Sequence, residues 1–243
     1  MTPPAVSARV RKEYRSRGAT SFLLDVDLEI PQGFTILFGP SGAGKSTLLD
    51  CIAGVTQPDA GRIAAGERLL FDSAARTNLP PQKRQLACVF QSLALFPHLT
   101  IEENVAYGLA HLPPAERRER ALEILESFRA GHTAARRPGE ISGGEQQRAA
   151  LARSLVSEPR VLLLDEPLSA LDEEVKAGIV EDLRGWNAAR RLAILYVTHS
   201  REEAHALGER MIALDAGRVV AEGAPGEVLD ALSARRAAGR IRS

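Results

Sequence analysis

Between Phe22 and Ile30 the chain alternates, with Phe22, Leu24, Val26, Leu28 and Ile30 apolar and Asp25, Asp27 and Glu29 set between them. Period two with acids on the off-beat predicts a half-buried antiparallel strand, which Pro31-Gln32-Gly33 ends. The runs Phe34–Phe38, Leu86–Phe90, Val161–Leu164 and Ala193–Thr198 are apolar almost throughout, as strands covered on both faces are. Elsewhere the period is helical. Leu48, Leu49, Ile52 and Ala53 mark a helix that stops at Gly54, and Ile101 to Phe128 carries helices interrupted at Pro113-Pro114. A further helix runs from Ser142 to near Ser157, and another follows Asp172. Asp59-Ala-Gly61 reads as a turn before a short strand, Glu67–Phe71. Arg210–Leu214 and Val219–Glu222 flank Asp215-Ala-Gly-Arg218 as a hairpin, and a short helix and basic tail close the chain. Buried strands alternating with helices predict an α/β architecture with a mostly parallel sheet.

The chemistry gathers where those strands end. Behind Phe34–Phe38 comes Gly39-Pro40-Ser41-Gly42-Ala43-Gly44-Lys45-Ser46-Thr47, which reads G-x-x-x-x-G-K-[ST] between a strand and a helix, the context a P-loop requires. Glycines at 39, 42 and 44 let successive N–H groups turn inward, and the helix beginning near Lys45 aims its positive end at the same point. A polyphosphate fits there, with Lys45 reaching its outer phosphates and the Ser46 hydroxyl helping to hold Mg²⁺. Gln91 ends the strand Leu86–Phe90, Asp165 and Glu166 end Val161–Leu164, and His199 ends Ala193–Thr198. The carboxyl edge is where open α/β sheets bind ligands. Asp165 is placed to bind Mg²⁺ and Glu166 to orient or deprotonate an attacking water, and His199 becomes a catalytic partner only because it shares that edge. Ser142 and Glu145 satisfy S-x-x-E, a capping box, with Gly143 and Gly144 between them. Two glycines in a first turn suit close approach of a second anion, although a plain capped turn reads equally well. A second box, Ser200-Arg-Glu-Glu203, follows His199.

Composition narrows the class. In 243 residues, 31 basic side chains balance 31 acidic ones, which disfavours a nucleic-acid partner. Arg120 and its neighbours Glu116 to Glu119 mix both signs, as a solvated helix face does. Cys51 and Cys88 lie in apolar runs without metal-type spacing and read as reduced core thiols. No stretch approaches the length of apolar chain that a membrane span needs.

Taken together in this order, the P-loop, Gln91, Ile141-Ser-Gly-Gly-Glu145, Val161–Glu166, Ser169-Ala-Leu-Asp172 and His199 resemble the ATP-binding subunits of ABC transporters, over nearly the whole chain. The resemblance implies a P-loop NTPase core with an antiparallel N-terminal β portion, residues 1–90 and 159–243, and an inserted helical subdomain, 91–158. It implies that ATP and Mg²⁺ bind, with Ser46, Gln91 and Asp165 at the metal, and that Lys45, Gln91, Glu166 and His199 serve hydrolysis. It also implies a head-to-tail homodimer in which Ser142, Gly143, Gly144 and Glu145 of one copy, with Asp172, face the nucleotide of the other. An aromatic stacks on adenine in such proteins, and Tyr14 is the candidate, with Phe22 as its rival. Ile141 stands for the family's usual Leu and Glu145 for its usual Gln. Leu95-Phe-Pro-His-Leu-Thr100 and Glu102–Gly108 resemble the importer branch, and Phe34–Gly39, Leu69–Ser73 and Asn78–Pro81 are most similar to molybdate importers. The resemblance therefore implies a peripheral protein on the cytoplasmic face of the inner membrane, partnered by transmembrane permease subunits and indirectly by a solute-binding protein. The chain runs only to Ser243 after its hairpin, so no carboxyl-terminal regulatory domain is expected. Importers of sulfate, iron or phosphate, a non-transport ABC ATPase and a nucleotide kinase are the competing readings. The kinase leaves the Ser-Gly-Gly segment without a purpose.

Overall fold

In a computed structural model, which describes residues 5–16, 19–90 and 92–240 apart from the side chains of residues 19 and 236–240, the elements follow one another as the periodicity predicts, with three strands added, Val6–Ser16, Ala60–Ala65 and Thr77–Asn78. They are β1 (Val6–Ser16), β2 (Ala19–Ile30), β3 (Gly33–Phe38), α1 (Lys45–Ala53), β4 (Ala60–Ala65), β5 (Arg68–Asp72), β6 (Thr77–Asn78), β7 (Leu86–Val89), α2 (Ile101–Ala106), α3 (Pro114–Ser127), α4 (Gly143–Leu155), β8 (Val161–Asp165), α5 (Glu173–Arg190), β9 (Ala193–Thr198), α6 (Arg201–Leu207), β10 (Arg210–Asp215), β11 (Arg218–Gly223) and α7 (Pro225–Arg240). The chain divides into two compact units, residues 1–86 with 193–243, and residues 87–192.

The first unit holds an antiparallel sheet in the order β2-β1-β4-β5-β6. Leu24, Val26, Leu28 and Ile30 of β2 are buried and the intervening acids exposed, as the alternation requires. Across from them Val6, Ala8 and Val10 of β1 are buried in register with Ile30, Leu28 and Val26. A parallel group, β10-β3-β9, carries β11 antiparallel on its edge. Every residue of β3 and of β9 is buried, which is why neither run alternates.

One expected turn proves to be strand. Asp59-Ala-Gly61 leads directly into β4, and Gly61 pairs with Val10 of β1, where a Cβ would strike the Arg9 carbonyl. Glycine is there because two backbones approach closely, not because the chain reverses.

Arg84, which follows Pro80 and Pro81 in the connection between β6 and β7, has no solvent exposure. Its guanidinium donates to the Cys51 and Ile52 carbonyls at 2.8 and 2.7 Å, to the Leu79 carbonyl at 2.8 Å and to Asn78 Oδ1 at 2.9 Å. A cation at the carboxyl end of α1 satisfies carbonyls that lack helical partners and complements the dipole. Arg84→Ala should destabilise the protein by roughly 3 kcal/mol in urea unfolding, since it strands several buried acceptors at once. Arg84→Lys should recover little of this, because an ammonium cannot reproduce the fork. Unchanged unfolding midpoints would refute the clamp. Burial also pushes the neighbouring Cys51 thiol up to about 12, so it stays protonated, whereas Cys88 is half-buried.

In the second unit β8 and β7 lie side by side, and α2, α3 and α4 pack Ile101, Val105, Ala121, Leu125, Phe128, Ala149 and Leu155 inward. Arg148 of α4 meets the buried carboxylate of Asp182 on α5, and Arg129 reaches the same carboxylate at 2.9 Å. Glu116 and Arg120 pair at 2.9 Å on the outer face of α3. Among the described residues no helix is long and apolar enough to cross a membrane.

Candidate functional site

In the first unit the site begins where β3 ends. The chain turns through Gly39–Gly44 into α1, whose N-cap is Gly44 at φ 102°. A side chain there would be strained and would also run into Phe22 Cζ, 2.8 Å from the Cβ position. The α2, α4, α5 and α6 helices each start with a side chain, from Thr100, Ser142, Asp172 and Ser200, that accepts a first-turn N–H. The α1 helix has no such cap and no acid in its first turn, and its first return hydrogen bond runs from Leu48 N to the Gly44 carbonyl. Its leading amides therefore sit at the positive end of a helix dipole without a side-chain cap. Lys45 is 7% exposed and donates to the Gly39 and Pro40 carbonyls at 2.9 Å each, which brings its ammonium back to the loop. Ser46 is exposed in the same turn. Uncapped amides, an ammonium and a hydroxyl suit a polyphosphate with a hard cation.

Parallel pairing of Phe38 with Thr198 makes Gly39 and His199 leave adjacent strands at the same edge. His199 is exposed, and the backbone on either side of it is fixed. Thr198 Oγ1 accepts the Ser200 N–H at 3.0 Å and donates to Glu203 at 2.7 Å, and the buried Tyr196 hydroxyl donates to the same carboxylate oxygen at 3.0 Å. Burial and that carboxylate push the Tyr196 hydroxyl far above its ordinary range. The expected second capping box is thus only half formed. Ser200 Oγ accepts the Glu203 N–H at 3.2 Å, but the Glu203 carboxylate faces β9 instead of reaching back, because two buried hydroxyls need an acceptor.

Tyr14 and Phe22 face each other across β1 and β2, with centroids 6.3 Å apart. Phe22, half-buried against Gly44, borders the start of α1, and Tyr14 beside it is 40% exposed. Gly217, in the β10–β11 turn, donates to the Ala43 carbonyl at 3.0 Å and accepts from Asp25 N at 2.8 Å. This brace of the P-loop has no local sequence signal beyond the glycine itself.

The second unit builds its own arrangement. Ser142 Oγ accepts the Glu145 N–H at 3.3 Å, and Glu145 Oε2 accepts from Ser142 N at 2.8 Å and from Ser142 Oγ at 2.7 Å, so the first capping box is complete. The opposite oxygen, Oε1, lies 2.8 Å from His132 Nε2. The Ser142 hydroxyl, the Ser142 amide and His132 hold the Glu145 carboxyl down at about 2. A Cβ on Gly144 would be 2.6 Å from Val175 Cγ1, and one on Gly143 would be 3.5 Å from Leu171 Cδ2. Gly144 therefore lets α4 lie close to the segment that enters α5, whereas a side chain at Gly143 would meet only an ordinary contact. There Asp172 caps the helix by accepting the Val175 N–H at 3.0 Å. Asp165 and Glu166, each half-buried, end β8. Glu166 holds φ 46°, a left-handed conformation costing roughly 1–2 kcal/mol for a residue with a Cβ, and its carbonyl accepts the Ser169 N–H at 3.2 Å. Strain of this kind collects at functional positions. Gln91 lies outside the described residues. No cluster of His, Cys, Asp and Glu that could hold a metal by itself occurs among the described residues.

A profile of the family described as ABC transporter matches residues 23–169, from β2 through the P-loop, Ser142–Glu145 and Asp165–Glu166. The chain belongs to that family. Among its ABC relatives, the molybdate/tungstate import ATP-binding protein WtpC of Archaeoglobus fulgidus is 42% identical over 93% of this chain and 94% of its own length. The molybdenum import ATP-binding protein ModC of Pseudomonas fluorescens is 41% identical over 87% of this chain and 59% of its own. The spermidine/putrescine import ATP-binding protein PotA of Thermobifida fusca is 41% identical over 98% and 62%. The chain thus spans about six-tenths of the ModC and PotA relatives and nearly all of WtpC. A solved ATP-binding cassette, a dimer in a post-hydrolysis state with ADP and Pi, superposes with a TM-score of 0.78 at 32% identity, covering 90% of this chain and 98% of its own. The α/β fold with its P-loop NTPase core is therefore that of the ABC cassettes.

Proposed function

We propose that the protein is the ATP-hydrolysing subunit of an ABC importer, and that its cargo is molybdate, with tungstate as a companion. The observation that carries the ATPase reading is the uncapped start of α1 with Lys45 folded back onto Gly39 and Pro40. The P-loop from Gly39 to Thr47 holds the phosphates through its amides and Lys45, and Tyr14, beside Phe22, stacks on adenine through its exposed face. Ser46, Asp165 and Gln91 are oxygen donors of the kind Mg²⁺ prefers. Bound there, such an ion would supply positive charge to offset what develops on the phosphates. Glu166 orients or deprotonates the attacking water, and His199 contacts the terminal phosphate. Ser142, Gly143, Gly144 and Glu145 with Asp172 of a second, head-to-tail copy face the nucleotide, and residues 91–158 act as a helical subdomain toward the permease. The protein works on the cytoplasmic face of the inner membrane, where its ATP hydrolysis drives import through transmembrane permease subunits, with a solute-binding protein as an indirect partner.

Cargo is argued from the WtpC and ModC relatives. The PotA relative keeps open an importer of another solute, since transported ions do not reach this subunit. A deletion strain should lose molybdenum-dependent enzyme activity at trace molybdate and regain it when molybdate is in excess. Intact molybdoenzymes combined with failure on limiting polyamine, iron, phosphate or sulfate would reassign the cargo and leave the ATPase reading standing.

A further inference from the structure

Glu145 sets a problem for the proposed function, on which this inference rests. A carboxylate occupies the first turn of α4, the helix start that would face the nucleotide of a second copy. A negative charge there opposes the approach of phosphate, although the helix dipole offsets part of it. The same carboxylate also holds the Ser142 hydroxyl, both receiving its hydrogen bond and sharing the capping box with it.

The loop that follows α3 supplies the answer. His132 projects from a short 3₁₀ turn, Gly131–Thr133, whose backbone is tied down. Thr133 is fully buried with its hydroxyl donating to the Ala130 carbonyl at 2.6 Å, Ala134 N donates to the Gly131 carbonyl at 3.1 Å, and the Ala134 and Arg136 carbonyls accept from Glu102 and Ile101 of α2. An exposed imidazole on a fixed loop is thereby set 2.8 Å from Glu145 Oε1. With a carboxylate opposite, Nε2 carries the proton and donates it. The two oxygens of Glu145 are then both committed, Oε1 to His132 and Oε2 to Ser142.

We infer that His132 is a positioning residue for the Ser-Gly-Gly segment: it anchors the Glu145 carboxylate on the side of Ser142 and draws off its charge, so that an acid can stand in the first turn of α4 without repelling the facing nucleotide. His132 touches no substrate and acts only through Glu145. The assignment therefore makes a statement about coupling, which a purely structural part in the loop would not reproduce.

A double-mutant cycle decides it, because pairwise coupling is what the cycle isolates. Two quantities are measured in the full chain: kcat/KM for ATP, and the ATP concentration at half-maximal dimer formation with Glu166→Gln present to stop turnover. His132→Ala should worsen each by about tenfold, the scale of one charge-assisted hydrogen bond. In a Glu145→Gln background the same substitution should change each by less than about twofold, since an amide brings no charge to offset. His132→Gln, which keeps an N–H donor, should restore most of the loss while Glu145 is present. Equal losses in both backgrounds, or no loss in either, overturn the inference while ATP turnover by the parent chain upholds the functional reading. A parent chain that neither hydrolyses ATP nor dimerises with it overturns the functional reading and the inference together.

Discussion

Replacing Lys45 by methionine is expected to cut ATP turnover by about 10² to 10³, the usual loss when one preorganised charge donor is removed from a reacting oxygen. Methionine keeps most of the stem, and Leu48, Leu49, Cys51 and Ile52 continue to bury α1, so the fold should hold. What goes is the ammonium that Gly39 and Pro40 bring back to the loop at 2.9 Å. Nucleotide affinity should fall with turnover, because the same charge meets phosphate in the ground state. Phosphate release under saturating Mg²⁺-ATP, with circular dichroism as a control for folding, checks this. Turnover within a factor of a few of the parent would mean that the loop between β3 and α1 is not the phosphate site.

Much of this arrangement was legible in the sequence because its signals are local. The P-loop announces itself in nine consecutive residues, the alternation of β2 is written in its acids, and Ser142 and Glu145 sit at the spacing a capping box needs. What stayed hidden depends on partners distant in sequence. Nothing in Asn78–Arg84 reveals that Arg84 will be sealed against carbonyls of Cys51 and Ile52, since burial of an arginine is decided by the acceptors it finds. The β1 strand leaves a faint trace because Ala8 is small and Lys12 cuts short the face on which Val6, Ala8 and Val10 alternate. In the sequence, a glycine needed for close backbone approach, as Gly61 is, looks the same as one needed for reversal. Glu203 stands where a capping box wants it, yet the buried hydroxyls of Tyr196 and Thr198 outbid the amide of Ser200. His132 lies thirteen residues from Glu145 and only the folded loop joins them.

The second large effect belongs to Glu166. Glu166→Gln preserves size and hydrogen-bonding reach and alters only the basic carboxylate. It also leaves backbone cost unchanged, because glutamine and glutamate suffer alike at φ 46°. Hydrolysis should fall by about 10² to 10⁴, the range for loss of general base catalysis. ATP binding should persist or tighten, since one negative charge near the phosphates is gone.

The central claim is that ATP is held between two copies of this chain, and the same variant tests it most directly. Size-exclusion chromatography of Glu166→Gln should give a dimer with Mg²⁺-ATP and a monomer with ADP, and adding Ser142→Arg should abolish the dimer by obstructing the facing nucleotide. A Glu166→Gln protein that remains monomeric at high ATP, or that hydrolyses ATP at the parent rate, would contradict the account.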